Sequence, residues 1–217
     1  PDGTPAYTIK KFGVVNRYDL SKEFPSVKAD VSIDNLNLTA LHLYQDSLQV
    51  KGDIKVDMPS TNPANPLGTV NVNGLVLNYR NKPISVSDMT VQLTDSSGQK
   101  QANIETPFLK AKMQGDFVYT EIADALFTEV GKHFKVPNLT YNPVTKPVSF
   151  TLDASVTNNT VFQMFAPQLR EMNPVSFHAK FDNQQDSSIV ARLTVPKVEM
   201  DSLQTERVIV DLSTTKE

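Results

Sequence analysis

The sequence predicts a mainly β fold made of many half-buried antiparallel strands. Apolar and polar residues alternate through residues 48–56 (LQVKGDIKV), 109–119 (LKAKMQGDFVY), 148–156 (VSFTLDASV) and 175–181 (VSFHAKF). A period of two residues places the apolar side chains of a strand on one face. Only two segments have the spacing of an α-helix, so helices are expected to be a minor part of the fold.

A second pattern, in which the alternation slips by one residue, recurs four times. In residues 70–77 (VNVNGLVL), two apolar positions precede Asn73-Gly74 and two follow it. Asn-Gly favours a two-residue hairpin turn, so the sequence predicts a reversal there, although a β-bulge in one continuous strand would give the same slip. Either arrangement keeps the apolar residues on one face. Hairpin and bulge are equally good interpretations at the three other sites: Asp34-Asn35, Ser87-Asp88 and Pro196-Lys197.

Two segments are predicted to be amphipathic helices. The first, at about residues 120–134, has Thr120 as the expected cap at its start and Pro137 just beyond its end. Its apolar stripe is expected to pack on the sheet and to close one end of it. The second, at about residues 160–170, contains Pro167, which shortens or kinks it. The stripe of the first helix comprises Ile122, Ala123, Leu126, Phe127, Val130 and Phe134.

Composition and charge narrow the classes of partner. The net charge is −3 over 217 residues and the basic residues are scattered, so we expect no nucleic-acid partner. The chain has no cysteine, which excludes disulfide bonds and leaves its redox compartment open. No apolar run approaches the length that spans a membrane, and no signal peptide is recognisable.

The sequence contains no recognisable catalytic or metal-binding motif, so we expect no enzyme activity, no metal and no cofactor. His42, His133 and His178 lack the spacing of metal ligands. No G-x-S-x-G elbow is present, and the eight glycines are too dispersed for a phosphate-binding loop. Asp53 and Asp116 each follow a glycine and are expected on turns or strand faces rather than in acid–base catalysis.

From Gln101 onwards the chain resembles the TamB proteins of Bacteroidetes, within the wider AsmA-like group. The resemblance rests on the order of a Gly-Asp-Phe strand, a helix, a strand, a second helix and a meander. Residues 1–100 resemble the family only in their repeated pattern, so we expect a β-meander at 1–100 and a β-rich segment with both helices at 101–217. Together they would be one continuous unit excised from a longer protein. The resembling stretches are FLKAKMQGDFVYTEIADALFTEVGKHF, PVSFTLDASVTNNTVFQMFAPQL, PVSFHAKFDN and VARLTVPKVEMDSLQTERVIVDL.

This resemblance implies a long antiparallel sheet curled into a half-pipe, or β-taco, with an apolar interior. It further implies a periplasmic segment of an inner-membrane-anchored protein that moves phospholipid between the inner and outer membranes. Such a protein supports outer-membrane biogenesis and protein secretion. The implied partners are phospholipid acyl chains and, through the full-length chain, an outer-membrane protein of the Omp-85 type.

Under this interpretation the apolar strand residues line a lipid groove. Two alternatives remain open. The same residues would form the closed core of a β-sandwich adhesion or carbohydrate-binding module, or the chain would be a scaffold or chaperone that offers sheet edges to outer-membrane proteins during assembly. The expected groove residues are Val31, Ile33, Leu36, Leu38, Val50, Ile54, Val70, Val72, Leu75, Leu77, Ile84, Val86, Met89, Val91, Met113, Phe117, Phe150, Leu152, Phe177, Leu193 and Val195.

Overall fold

The alternating residues form, as predicted, a mainly β structure. The computed structural model describes residues 7–14, 23–133, 140–201 and 203–214. Within these ranges the two helices are α1 (Ile122–His133), between β8 and β9, and α2 (Thr160–Phe165), between β9 and β10. The strands are β1 (Tyr7–Val14), β2 (Val27–Asn37), β3 (Leu48–Ser60), β4 (Leu67–Tyr79), β5 (Lys82–Val86), β6 (Met89–Ser96), β7 (Gln99–Glu105), β8 (Leu109–Asp116), β9 (Ser149–Val156), β10 (Leu169–Met172), β11 (Val175–Asp182), β12 (Ile189–Met200) and β13 (Leu203–Ser213).

All of these strands belong to one antiparallel sheet that does not close on itself. Its order is β1-β2-β3-β4-β6-β7-β8-β9-β11-β12-β10, with β13 paired along the other side of β12. Strands β5 and β6 lie end to end along the same side of β4. The described strands form a single sheet, which is consistent with the predicted long, curled one. Residue 100 lies inside β7, which pairs with both β6 and β8, so the sheet runs uninterrupted from one predicted segment into the other.

The predicted hairpin at Asn73-Gly74 is wrong, and the alternative, a β-bulge, is correct. Strand β4 continues through both residues, and one extra residue of β4 is accommodated opposite Gly52 of β3. Gly74 has a φ of 58°, the left-handed conformation that a bulge glycine adopts. Strand β4 stays continuous instead of turning back, because β3 is equally long and supplies hydrogen-bond partners on both sides of the bulge.

The two-residue hairpin turn of this region lies at Arg80-Asn81, between β4 and β5. Both residues have positive φ, 49° and 63°, as a type I′ turn requires. Arg80 Nη2 and Tyr79 Oη both donate to the carboxylate of Asp46, at 2.7 and 2.9 Å. These bonds fasten the loop between β2 and β3 to the turn.

Three of the four sites where the alternation slips lie side by side across the sheet, and none is a hairpin. This line of irregular positions, called the crease below, consists of Asp34-Asn35 in β2, the bulge in β4 and Ser87-Asp88 between β5 and β6. At Pro196-Lys197 both interpretations are wrong, because β12 continues through these residues and its pairing with β13 has no register shift there. Bulges bend strands and increase their twist, so those in β2 and β4 curve the sheet while keeping the apolar residues of these strands on one face.

Helix α1 packs on the sheet as predicted. Its Ala125 is 1% exposed, and Ile122, Leu126 and Val130 pack around the same buried cluster. Ala123 and Phe127 depart from the expectation, because both are exposed; the ring of Phe127 is 38% exposed and lies 6.4 Å from that of Tyr141. The other buried members of this cluster are Phe117, Val148, Phe150, Phe181 and Ile189.

The ends of both helices differ from the predictions. Thr120 does not cap α1, because it lies inside a 3₁₀ turn (Tyr119–Glu121) that precedes the helix without a side-chain cap. Phe134 and Pro137 lie outside the described residues. Helix α2 ends at Phe165 rather than at about residue 170, because Pro167 stops it and Leu169 pairs with β12 as part of β10. In the described part of the chain, neither helix is long and apolar enough to cross a membrane.

Candidate functional site: the apolar face of the sheet

Cross-strand pairing aligns apolar residues into continuous rows across one face of the sheet. Directly opposed residues of antiparallel strands share a face, so each row can be followed from strand to strand through the register. The row called the middle row below crosses ten strands without a polar residue. It comprises Ala29, Val56, Val70, Val91, Ile104, Ala111, Ala154, Phe177, Leu193 and Val210.

Two further rows flank the middle row. The helix-side row, nearer α1, consists of Gly68, Leu93, Ala102, Met113, Leu152, Ala179, Ala191 and Leu212. The crease-side row comprises Val31, Ile54, Val72 and Met89, then Leu109, Val156 and Val175, then Val195 and Val208. None of the three rows contains a charged residue, so together they form a broad apolar band, called the apolar face below.

Most of the predicted groove residues lie on this face. The middle row contains Val70, Val91, Phe177 and Leu193, and the helix-side row contains Met113 and Leu152. The crease-side row contains Val31, Ile54, Val72, Met89 and Val195. Beyond the crease, the face continues through Ile33, Leu36, Val50, Leu75, Leu77, Ile84 and Val86.

Four predicted groove residues do not line an open surface. Phe117 and Phe150 are 2% and 6% exposed in the cluster beneath α1, and Val86 is 5% exposed in β5, the strand that α2 contacts. Leu38 lies in the turn after β2, where its N–H donates to the carbonyl of Leu48. Helix packing buries Phe117, Phe150 and Val86, and the turn takes Leu38 out of the strand. Strand alternation alone does not reveal either effect.

The list of expected groove residues omitted residues that belong to the apolar face, although the alternation had already placed two of them, Val56 and Ala111, on apolar strand faces. The omitted positions have the same two-residue period, but many are alanines or lie in short polar strands such as QANIE, where the apolar signal is weak. Counting alternation across neighbouring strands, rather than one strand at a time, would have found them. They include Ala29, Val56, Leu93, Ala102, Ile104, Ala111, Ala154, Val175, Val208 and Val210.

The opposite face of the sheet is polar and carries cross-strand ion pairs. Lys28 Nζ lies 2.8 Å from Asp57 Oδ2, and Arg192 Nε lies 2.6 Å from Asp211 Oδ1. Their side chains are mostly exposed, so each pair adds little stability. The polar residues therefore mark this face as the one that water covers.

The two faces differ in burial in the way a curled sheet requires. Apolar-face residues such as Val72 and Leu152 are half-buried, whereas Lys112 and Lys180 on the polar face are exposed. Side chains crowd together on the inside of a bend, so we infer that the sheet curls around its apolar face. At the edge strand β13 the crowding ends, and Val210 and Leu212 are 51% and 48% exposed.

The polar face also bears a shallow depression of about 390 Å³ over β7, β8, β9, β11 and β12. Some of its charged side chains pair with neighbours: His178 Nδ1 lies 2.6 Å from Asp153 Oδ1, and Arg192 binds Asp211. Its other charged lining residues, Glu105, Lys110 and Lys112, are exposed. Because its charged side chains are largely exposed to water, the apolar face remains the better candidate site.

The titratable residues considered in the sequence are dispersed. His42 lies in the loop after β2, His133 ends α1, and His178 is on the polar face of β11. Asp53 accepts a hydrogen bond from Ser32 Oγ on the polar face, and Asp116 ends β8. Within the ranges that the structure describes, no group of three or more metal-ligating side chains comes together.

The chemistry that this site offers is the burial of apolar ligands. The apolar face spans ten strands, which at about 4.8 Å per strand gives a surface longer than an extended sixteen-carbon acyl chain. Successive rows present nearly equivalent aliphatic side chains, so a ligand has no single preferred register. No protein-family model matches this chain, and no curated protein or solved structure is significantly similar to it.

Proposed function

We propose that this chain is a periplasmic segment of a TamB-like protein of the AsmA-like group, and that its apolar face carries phospholipid acyl chains between the inner and outer membranes. The observation that supports the proposal is the set of three uncharged rows that cross the sheet from strand to strand. A sheet that needed only a core would cover these rows with a second layer, whereas here helices accompany the sheet only locally.

The energetics suit transport. Burial of a sixteen-carbon tail stabilises the complex by on the order of 12 kcal/mol before entropic costs, at about 0.8 kcal/mol per CH₂. An acyl tail that moves from one row to the next exchanges contacts with aliphatic side chains for similar contacts, so the energy barrier to sliding is low. A single deep pocket would hold the lipid in one place.

The proposal is tested by a charge on the apolar face. Val72 is half-buried in the crease-side row, between Ile54 and Met89. In Val72→Asp the carboxylate can stay hydrated on an open face, so we expect a destabilisation of about 1–2 kcal/mol and a loss of most lipid binding. Thermal melting measures the first effect, and photo-crosslinking to lipid from position 75 in cells measures the second.

The matched control is Asn71→Asp, which adds the same charge one residue away on the polar face. Asn71 accepts a hydrogen bond from Thr90 Oγ1, and the carboxylate can accept it as well. This variant is expected to fold and bind lipid like the wild type. An unfolded Val72→Asp variant together with no wild-type crosslinks would contradict the conduit and favour a closed core.

A second candidate function, a scaffold for outer-membrane proteins, is favoured by the edge strand β13. Val208 and Val210 of its apolar side and Ile209 of its other side are 39–51% exposed. Exposed apolar edges invite another strand to pair, whereas a lysine blocks such pairing. If β13 receives client strands, Val210→Lys will lower the capacity of the protein to keep a diluted, unfolded outer-membrane β-protein in solution. Unchanged capacity would remove this candidate, and lipid binding at position 75 is the control.

A further inference from the structure

A charged pair lies at one margin of the otherwise uncharged apolar face. The row next to the helix-side row, called the end row here, begins with Asp95 and Lys100 and continues through Gly115, Phe150 and Phe181. Asp95 and Lys100 are directly opposed on β6 and β7, and their side chains are only 19% and 11% exposed. Two opposite charges are therefore held largely out of water beside an apolar surface.

These charges are incompletely satisfied. Lys100 Nζ lies 3.8 Å from Asp95 Oδ2, too far for a hydrogen bond, and 6.0 Å from the centre of the Phe117 ring. No hydrogen-bond acceptor for this ammonium is found among the described residues. Asp95 Oδ1 already has a hydrogen-bond donor, because it accepts a hydrogen bond of 2.9 Å from the backbone N–H of Gly98 in the turn that follows. The ammonium of this half-buried lysine thus keeps donors that no described residue uses.

A second unused group lies close by. The hydroxyl of Tyr119 is buried and has no hydrogen-bond partner within the described chain. Its ring meets Phe117 edge to face at 5.0 Å, so Tyr119 and Lys100 border the same aromatic ring. Burial, and secondarily the charge of Asp95, raise the pKa of Tyr119, so its hydroxyl stays protonated and able to donate.

We propose that Lys100, Asp95 and Tyr119 form a binding site for the headgroup of a zwitterionic phospholipid, specifically a phosphoethanolamine, whose tails lie on the adjacent rows. This inference rests on the proposed function. The phosphodiester oxygens accept from the ammonium of Lys100 and the hydroxyl of Tyr119, and the ethanolamine ammonium faces Asp95 Oδ2. A headgroup that carries both charges satisfies both members of the pair, whereas a purely anionic group would be repelled by Asp95.

The test separates the headgroup from the tails. Dioleoyl phosphatidylethanolamine and dioleoylglycerol, in the same detergent, compete with a tail-labelled fluorescent fatty acid for the protein. The main variant is Asp95→Asn/Lys100→Met, which removes both charges so that neither is left buried alone. We expect its affinity for the phospholipid to fall about tenfold or more, the size of a lost charged hydrogen bond, with dioleoylglycerol binding unchanged. Tyr119→Phe removes a hydroxyl that no described residue hydrogen-bonds, so it should weaken phospholipid binding alone and leave folding intact.

The control is Lys82→Met, which removes an exposed lysine of β5 at the far end of the sheet and should change neither affinity. Equal binding of both lipids by the wild type and the double variant would overturn the headgroup site while leaving the conduit standing. If neither lipid displaces the probe from the wild type, the proposed function fails and this inference fails with it. Tight binding of glycerophosphoethanolamine, which lacks tails, would assign the site to a soluble phosphodiester and overturn the lipid assignment.

Discussion

At the scale of single residues, two glycines mark points where neighbouring strands approach too closely for a side chain. A Cβ on Gly115 would lie 2.1 Å from the carbonyl oxygen of Ser149 and 2.6 Å from Cα of Phe150. A Cβ on Gly68 would lie equally close to Asp57 and Met58. Gly115 precedes the Phe117 cluster, so the close approach of β8 and β9 helps to place the helix and the end row.

Gly115→Ala is therefore expected to destabilise the protein by about 3 kcal/mol or more, because the added methyl forces two strands apart. Urea unfolding measures this loss. Gly74→Ala is the matched control: Gly74 also has positive φ, but a Cβ there meets nothing within 4 Å. It should cost only the conformational penalty of about 1 kcal/mol. Equal losses in the two variants would show that close packing at Gly115 is not what matters.

At the scale of secondary-structure elements, the bulge in β4 accommodates one extra residue while both halves of the strand stay on the apolar face. Deletion of Gly74 removes the extra residue, so Val70, Val72, Leu75 and Leu77 would alternate strictly and stay on the apolar face without a bulge. The deletion removes the hydrogen bond from the Gly74 N–H to Asp88 Oδ1, so we expect a loss of only about 1 kcal/mol. Urea unfolding of the deletion variant tests this. Gly74→Asn, which keeps the N–H and tolerates positive φ, should stay near the wild type. A loss of about 3 kcal/mol or more in the deletion variant would show that the burial of Leu75 and Leu77 depends on the bulge itself.

The strands and the bulge differ in how well the sequence predicts them. Alternation correctly predicted the strands and the face shared by Val70, Val72, Leu75 and Leu77, because these depend only on local period. It misassigned Asn73-Gly74, because turn and bulge both accept positive φ, and only the length of β3 decides between them. The ion pair of Asp95 and Lys100 was also missed, since it depends on register between strands that the sequence does not specify.

At the scale of the whole molecule, the described strands pack almost entirely against their lateral neighbours, so stability is expected to decline from the centre of the sheet to its edges. The buried cluster beneath α1 draws on β9, β11 and β12 and on Phe117 just after β8, with Phe117 and Phe181 only 2% and 1% exposed. At the edges, Tyr7 of β1 is 59% exposed, and most apolar residues of β13 are also exposed. Under the proposed function, a sheet that opens strand by strand would let a lipid enter at its margins while the centre holds its shape.

Hydrogen–deuterium exchange measures this gradient directly. The hydrogen-bonded amides of β9 and β11 should exchange most slowly, at rates set by global unfolding, and those of β13 bonded to β12 should exchange at least a hundredfold faster through local opening. Leu126→Ala, which weakens the contact between α1 and the sheet, should speed exchange in β9 and leave β13 unchanged, because β13 already opens independently of the cluster. Uniform protection across the sheet, or β13 amides as slow as those of β9, would mean that the molecule opens only as a whole. The edges would then be no route for a lipid to reach the apolar face.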